Sequence, residues 1–189
     1  MKIFVRRPGV VTALAGLMLI TAAAPVAATT SASTSSQAAA VTVDALCPTG
    51  ATTVNYSPGA TLTPRQTNLS FSGSAAPCTS TTDPNISAIS SFSGTGQGEL
   101  GCTTGSFDAT GTIIWNTGAM SQVTFSSQVD LRPDGIPVIV ATGPVTSGKF
   151  SGSTVALTVE LLPANPLACL TPTGVTQTHG PSTITISHL

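Results

Sequence analysis

Charged side chains are scarce in this chain of 189 residues, which has only 6 Lys and Arg and 7 Asp and Glu. Helical bundles and coiled coils need about half of their residues to be Ala, Glu, Lys, Leu or Arg at helical spacing, so those folds are excluded. Nucleic-acid binding through phosphates needs clustered Lys and Arg, and the sequence has no such cluster. Disorder of the whole chain is also excluded, because 41% of the residues are hydrophobic and the net charge is −1.

The first 28 residues have the composition of a secretory signal peptide. Lys2, Arg6 and Arg7 precede an apolar run of about 16 residues, and the small residues at its end suit cleavage after Ala28. This run is shorter than the ~20 residues that a membrane-spanning helix needs. We therefore predict a cleaved signal peptide over 1–28 and a secreted, extracellular protein.

The residues after this segment divide into a leader and one domain. Residues 29–40 consist of Thr, Ser, Ala and Gln without apolar spacing, so we predict a disordered leader. The remainder, 41–189, is long enough for one domain with a hydrophobic core. Its three cations are scattered, which predicts no membrane contact once the signal peptide is removed.

Apolar and polar residues alternate with a period of two through much of 41–189. In segment 119–131, for example, Val123 and Phe125 share one face and the polar residues between them share the other. Such alternation predicts antiparallel strands that bury one face. Turn residues such as Gly, Pro, Asn and Asp separate the segments. We predict an all-β fold, an antiparallel two-sheet β-sandwich of about eight strands that is immunoglobulin-like or similar.

Proline and glycine mark exceptions within the predicted strands. Segments 62–72 and 136–145 contain prolines, which cannot donate to a strand ladder. We therefore predict that 62–72 lies at an edge or a bulge and that 136–145 is another edge strand. Gly94, Gly96 and Gly98 fall on one face of a single segment. Three glycines on the same face of a strand predict bends or a close approach of the backbone.

An even number of cysteines in an exported chain predicts two disulfides. A zinc site would need a CxxC spacing or a histidine near the cysteines, and the sequence has neither. We therefore expect no metal site. In an up-and-down meander, Cys78 and Cys102 fall at opposite ends of one strand, too far apart for the ~7 Å that a disulfide spans between Cα atoms. Strand direction therefore favours the pairs Cys47–Cys78 and Cys102–Cys169.

No set of residues suits catalysis. Of the two histidines, His188 is next to the C-terminus, and His179 lies in a predicted turn without a GxSxG motif elsewhere. A glycosidase needs two carboxylates close together in space. Asp130 and Asp134 are close in sequence, but they flank a predicted turn. We therefore predict a non-enzyme without catalytic residues or cofactors.

Two aromatic residues are candidates for a ligand platform of the kind that carbohydrate-binding modules use. Tyr56 adjoins a predicted Pro-Gly turn and is the better candidate for exposure. Trp115 shares its face with Ile113, so a core position competes with the platform role.

Several segments carry a resemblance. They are CPTGATTVNYSPGATLTP at 47–64, IIWNTG at 113–118, TSGKFSGSTV at 146–155, LACLT at 167–171 and GPSTITI at 180–186. Together they resemble the small four-cysteine secreted proteins of high-GC Gram-positive bacteria, across nearly the whole of 41–189. The resemblance implies an extracellular location and an all-β fold, but no activity.

The absence of a catalytic set and the Thr/Ser-rich strand faces favour a secreted surface or matrix protein that contacts another macromolecule or itself. Its partner would be a protein, a cell-wall polysaccharide or a second copy. A carbohydrate- or cell-wall-binding module using Tyr56 and Trp115 is the alternative. A third possibility is an inhibitor of a secreted enzyme that presents the loop 75–85, which Cys78 and two prolines stiffen.

Overall fold

The computed structural model describes residues 40–133, 135–163 and 166–189, and this part of the chain is all-β. The predicted signal peptide and all but the last residue of the predicted leader lie outside the described residues. A 3-10 helix spans Pro166–Leu170, and no helix in the described ranges is long and apolar enough to cross a membrane. The strands are β1 Thr42–Ala60, β2 Arg65–Ala75, β3 Thr79–Ser80, β4 Ile89–Leu100, β5 Gly105–Trp115, β6 Met120–Leu131, β7 Pro137–Gly148, β8 Thr154–Glu160, β9 Leu162–Pro163 and β10 Val175–His188.

The eight long strands close into an antiparallel barrel, so the prediction of a two-sheet sandwich was wrong. Their order around the wall is β1, β2, β4, β5, β6, β7, β8 and β10. The barrel closes because β10 pairs back onto β1, from Thr42 opposite His188 to Ala60 opposite Val175. The short β3 and β9 pair with β1 and β10 beyond the ends of β2 and β8, and so extend the wall.

Closure also overturns the prediction of an edge position for the two proline-containing segments. Segment 62–72 became β2, which starts just after Pro64 and pairs with both β1 and β4. Segment 136–145 became β7, which pairs with both β6 and β8. The sheet tolerates its prolines because Pro137 is the first residue of β7 and Pro144 lies where the ladder to β6 is interrupted.

The predicted alternation of buried and exposed side chains is confirmed in β6, where Val123 and Phe125 point into the barrel. The glycine column in β4 also faces inward, and at Gly94 it meets an aromatic ring. Phe71 of β2 lies directly opposite Gly94, and a Cβ added at Gly94 would lie 2.3 Å from Phe71 Cζ. The ring thus covers the bare backbone of the glycine, an arrangement that fills the core where the strand has no side chain.

The two ends of the barrel differ. The closed end contains the start of β1, the end of β10 and the turns that follow β2, β5 and β7. There Trp115 is 1% exposed, its Nε1 donates to Ser121 Oγ at 2.9 Å, and its ring packs edge-on against Phe150 at 5.2 Å. The opposite end, which we name the mouth, is formed by the last residues of β1, β4, β6 and β8 and the first residues of β2, β5, β7 and β10.

Candidate functional site

A cavity of about 310 Å³ opens at the mouth of the barrel. No charged residue is among the described residues that line it. Ligand pockets start at roughly 300 Å³, and the mouth of an eight-stranded barrel is a common place for one small ligand. Seven strands contribute to its apolar wall, through Tyr56, Leu100, Phe107, Val129, Ile139, Leu162 and Val175.

Small residues lie among those that line the mouth cavity, whereas large side chains fill the closed end. Ala60 and Gly101 line the cavity at the ends of β1 and β4. At the closed end, Ile86, Ile89 and Trp115 occupy the corresponding interior and are each less than 3% exposed. The chain therefore fills one end of the barrel with its own side chains and leaves room for a guest at the other.

A disulfide braces one side of the mouth. Cys102, in the turn between β4 and β5, is bonded to Cys169 in the 3-10 helix, and both residues line the cavity. Backbone hydrogen bonds tie the same region together, since Cys102 N donates to Thr61 O at 2.8 Å and Leu62 N donates to Cys169 O at 3.2 Å. This is the pairing that strand direction favoured.

Arg65 holds the segment that leads from the 3-10 helix into β10. Its Nε donates to the carbonyl oxygen of Gly59 at 2.8 Å, and its Nη2 donates to that of Thr173 at 3.0 Å. The guanidinium group therefore fastens two sides of the rim through carbonyl oxygens. Together with the disulfide, it gives the mouth a defined shape.

Tyr56 supplies the polar feature of the cavity wall. Its side chain is buried, and its Oη lies 3.1 Å from Thr178 Oγ1, a second residue of the lining. Burial raises the pKa of Tyr56 to about 12, because the phenolate would lose its hydration, and the hydrogen bond to Thr178 only partly opposes this. The pair thus remains neutral across the physiological pH range.

The chain has a single tyrosine, so its ionisation can be measured directly. We expect tyrosinate absorbance of the folded protein to rise near pH 12 instead of pH 10. Between pH 10 and pH 12, the Tyr56 hydroxyl is still protonated in the folded protein but has lost its proton in the unfolded chain. The free energy of unfolding should therefore fall by up to about 1.4 kcal/mol per pH unit over this range. Tyr56→Phe should remove this part of the alkaline slope, and titration near pH 10 in the folded protein would contradict the buried position.

Neither of the two predicted platform residues shows its ring at the surface. Tyr56 is 7% exposed and lies inside the mouth, and Trp115 lies in the core of the closed end. The exposed aromatic platform expected from the sequence is therefore not formed at these positions. Tyr56 instead faces a cavity, where its hydroxyl is available at the wall.

The closed end contains a polar cluster that the sequence did not reveal. The buried carboxylate of Asp44 accepts a hydrogen bond from Ser153 Oγ at 2.7 Å, and its two oxygens each lie 2.9 Å from Nδ1 of His188. Although His188 is next to the C-terminus, it pairs with Thr42 in the barrel wall. The serine donates to the carboxylate and not to the imidazole, so the contact between nucleophile and base that a serine hydrolase needs is not made here.

The other titratable candidates are apart from one another. His179 and Asp130 are exposed on the outer face of the barrel, in β10 and β6, and Asp134 lies outside the described residues. Within the described ranges, no group of three or more His, Cys, Asp or Glu side chains is placed to hold a metal ion.

The loop 75–85 packs onto the closed end. Cys78 is bonded to Cys47 of β1, the second pair that strand direction favoured, and β3 lies against β1. Nζ of Lys149 donates to a carboxylate oxygen of Asp83 at 2.6 Å, and this hydrogen bond lowers the pKa of Asp83. The loop is thus fastened at three points.

The described lining of the mouth cavity is mostly apolar, and it includes three residues with hydroxyls, Tyr56, Thr103 and Thr178, and no charged residue. Its residues come from seven strands, from the turns between them and from the 3-10 helix, and most of the strand residues look like ordinary core positions in the sequence. No known family model, curated protein or solved structure matches this chain.

Proposed function

We propose that this protein is a secreted, non-catalytic binding protein that holds a small neutral molecule with an apolar body in the mouth of its barrel. The observation that carries the proposal is the cavity of about 310 Å³, braced by a disulfide and lined by apolar side chains. Two disulfides in the described part of the chain are consistent with an oxidising, extracellular environment.

The chemistry of the wall defines the ligand class. Burying a charge without a partner is costly, and the described lining offers no partner of either sign, which disfavours charged ligands. Tyr56 and Thr178 have two hydroxyl protons, and the hydrogen bond between them uses one. The second proton is available to a hydroxyl or carbonyl oxygen of the ligand. The size of the cavity favours a short alkyl chain or a compact ring system over a long lipid.

Filling the cavity should abolish binding without disturbing the fold. We expect a protein of residues 41–189 to bind the neutral fluorescent probe N-phenyl-1-naphthylamine saturably. The variant Val129→Phe should lose this binding, because the new ring occupies the cavity. Val123→Phe is the matched control, since Val123 faces the packed interior of the same strand. Overpacking there should cost about 1–3 kcal/mol of stability, more than at position 129.

Two results would contradict the proposal. One is a wild-type protein that binds neither the probe nor a series of short neutral alcohols. The other is a Val129→Phe variant that binds the probe as tightly as the wild type does. Fluorescence titration and urea denaturation of the same samples separate a loss of binding from a loss of folding.

The predicted contact with another macromolecule stays a prediction, and one surface supports it. Exposed leucines surround the mouth, and their exposed fractions range from 41% to 69%. Exposed apolar residues that gather into a patch are typical of surfaces that contact another molecule. They belong to the turn after β1, the end of β6, β9 and the 3-10 helix, as Leu62, Leu131, Leu162, Leu167 and Leu170.

A further inference from the structure

Five exposed leucines lie around the opening of the mouth cavity, and we call them the rim leucines. The turn after β1, the end of β6, β9 and the 3-10 helix contribute them, as Leu62, Leu131, Leu162, Leu167 and Leu170. Leu162 also lines the cavity, so the exposed apolar surface continues into the apolar wall. Covering such surface is favourable, because it removes apolar groups from water. The rim leucines therefore mark a contact surface that includes the entrance to the cavity.

The charges near the mouth indicate what kind of partner this surface fits. The guanidinium group of Arg65 donates to backbone carbonyl oxygens, and that of Arg132 donates to the carboxylate of Glu160. Glu99 and Asp130 alternate with inward residues of β4 and β6, so they point outward from the wall. Both cations of the mouth are thus engaged within the chain. Since charges at a contact surface need complementary charges on the partner, this surface favours a partner whose own contact surface is neutral.

The composition of the rim favours a protein partner over a lipid surface. Surfaces that bind membranes combine Leu with exposed Trp or Phe, and with Lys or Arg directed at the headgroups. Every aromatic side chain in the described ranges is buried or half-buried, and the two cations of the mouth are engaged as above. The core of a homodimer interface, in contrast, is apolar and poor in charge, and one patch serves both copies about a two-fold axis. The rim leucines fit this description.

We propose that two copies of this protein associate mouth to mouth, with the rim leucines of one copy packed against those of the other. Apolar surface is complementary to itself, and the scarcity of charge in the chain keeps the repulsion between copies small. The contact brings the two mouth cavities face to face, so each copy closes the entrance of the other and shields the bound ligand from water. The inference rests on the proposed function, because it names the partner that closes the same site.

Sedimentation velocity of the protein of residues 41–189 over a series of concentrations tests the association. We expect a reversible equilibrium between monomer and dimer. Leu131→Glu brings like charges together across the two-fold axis and should weaken the dimer at least about ten-fold. Met120→Glu is the matched control, because Met120 begins the strand that Leu131 ends and is 55% exposed, against 52% for Leu131. It should dimerise as the wild type does. Leu170→Glu, in the 3-10 helix, tests a second side of the rim independently of β6.

Probe binding is a second readout, because a ligand that the dimer encloses must strengthen dimerisation by linkage. Saturating N-phenyl-1-naphthylamine should therefore shift the wild type towards the dimer. Val129→Phe, whose cavity is filled, should dimerise without responding to the probe.

Three results would overturn the inference. The first is a wild type that stays monomeric at every concentration, with and without the probe. The second is a dimer that persists equally in Leu131→Glu and Leu170→Glu, since its interface would then lie elsewhere. The third is a monomer that binds vesicles of neutral phosphatidylcholine and loses this binding in the same two variants. In each case, saturable probe binding that is lost in Val129→Phe would leave the proposed function standing.

Discussion

Replacing Gly94 with alanine should destabilise the barrel by about 3 kcal/mol or more, although the change adds a single methyl group. Gly94 lies between Phe71 of β2 and Gly111 of β5 in the barrel wall. The new Cβ would lie 2.2 Å from the carbonyl oxygen of Thr110 and 2.3 Å from Phe71 Cζ. Side-chain rotation cannot relieve the first contact, because Thr110 presents its backbone, so the two strands have to separate.

Two control variants separate this clash from the general effect of substituting a residue in β4 or a glycine. Thr95→Ala changes the next residue of the same strand on its exposed face and should cost little. Gly118→Ala adds a Cβ where nothing lies within 4 Å, but at a φ of +83°, so it should cost about 1–2 kcal/mol for the left-handed backbone alone. Urea denaturation followed by the fluorescence of Trp115, the one tryptophan, measures all three. A midpoint for Gly94→Ala equal to that of Thr95→Ala would refute the explanation.

Strand positions were predictable from the sequence, but the closure of the sheet was not. Alternation with a period of two shows that one face of a strand is buried, and this holds equally for a sandwich and for a barrel. The contact that decides between them joins β1 to β10, from Thr42 opposite His188 onward, at the two ends of the domain. No local pattern records a pairing at that distance along the chain.

The position of Tyr56 shows how a local signal misled the prediction of a site. Its neighbouring Pro58 and Gly59 indicated a turn, and residues beside turns are commonly exposed. In the structure, β1 continues through this segment, and Tyr56 shares the inward face with Thr52 and Val54. The alternation of that strand predicts the inward face, but whether a cavity or packed side chains lie in front of it depends on residues from six other strands.

The disulfide pairing could be reasoned correctly even though the architecture was wrong. The alternating direction of consecutive strands is enough for this prediction, and an up-and-down barrel shares it with a meander in a sandwich. It therefore brought Cys102 and Cys169 to one end of the domain and Cys47 and Cys78 to the other, as in the structure. That the first of these ends carries an apolar cavity could not follow, because strand direction says nothing about the volume of the side chains.

Removing the disulfide at the mouth should affect stability and binding together. The Cys102–Cys169 bond closes a loop with a sequence separation of 67. The variant Cys102→Ala, Cys169→Ala should therefore lose about 4 kcal/mol, chiefly because its unfolded chain is less restricted. Where it remains folded, it should also bind the fluorescent probe more weakly, since the turn after β4 and the 3-10 helix are then joined only by the hydrogen bonds around Thr61 and Leu62.

The second disulfide provides the control that separates these two effects. Cys47–Cys78 has a sequence separation of 31, and loop entropy depends only logarithmically on length, so Cys47→Ala, Cys78→Ala should lose a similar amount, about 4 kcal/mol. This pair lies at the closed end, away from the cavity, so the affinity of the folded variant for the probe should match that of the wild type. Calorimetry and probe titration at a temperature where both variants are folded give the two quantities separately. If both variants bound the probe equally well, the mouth disulfide would only stabilise the fold and would have no part in shaping the site.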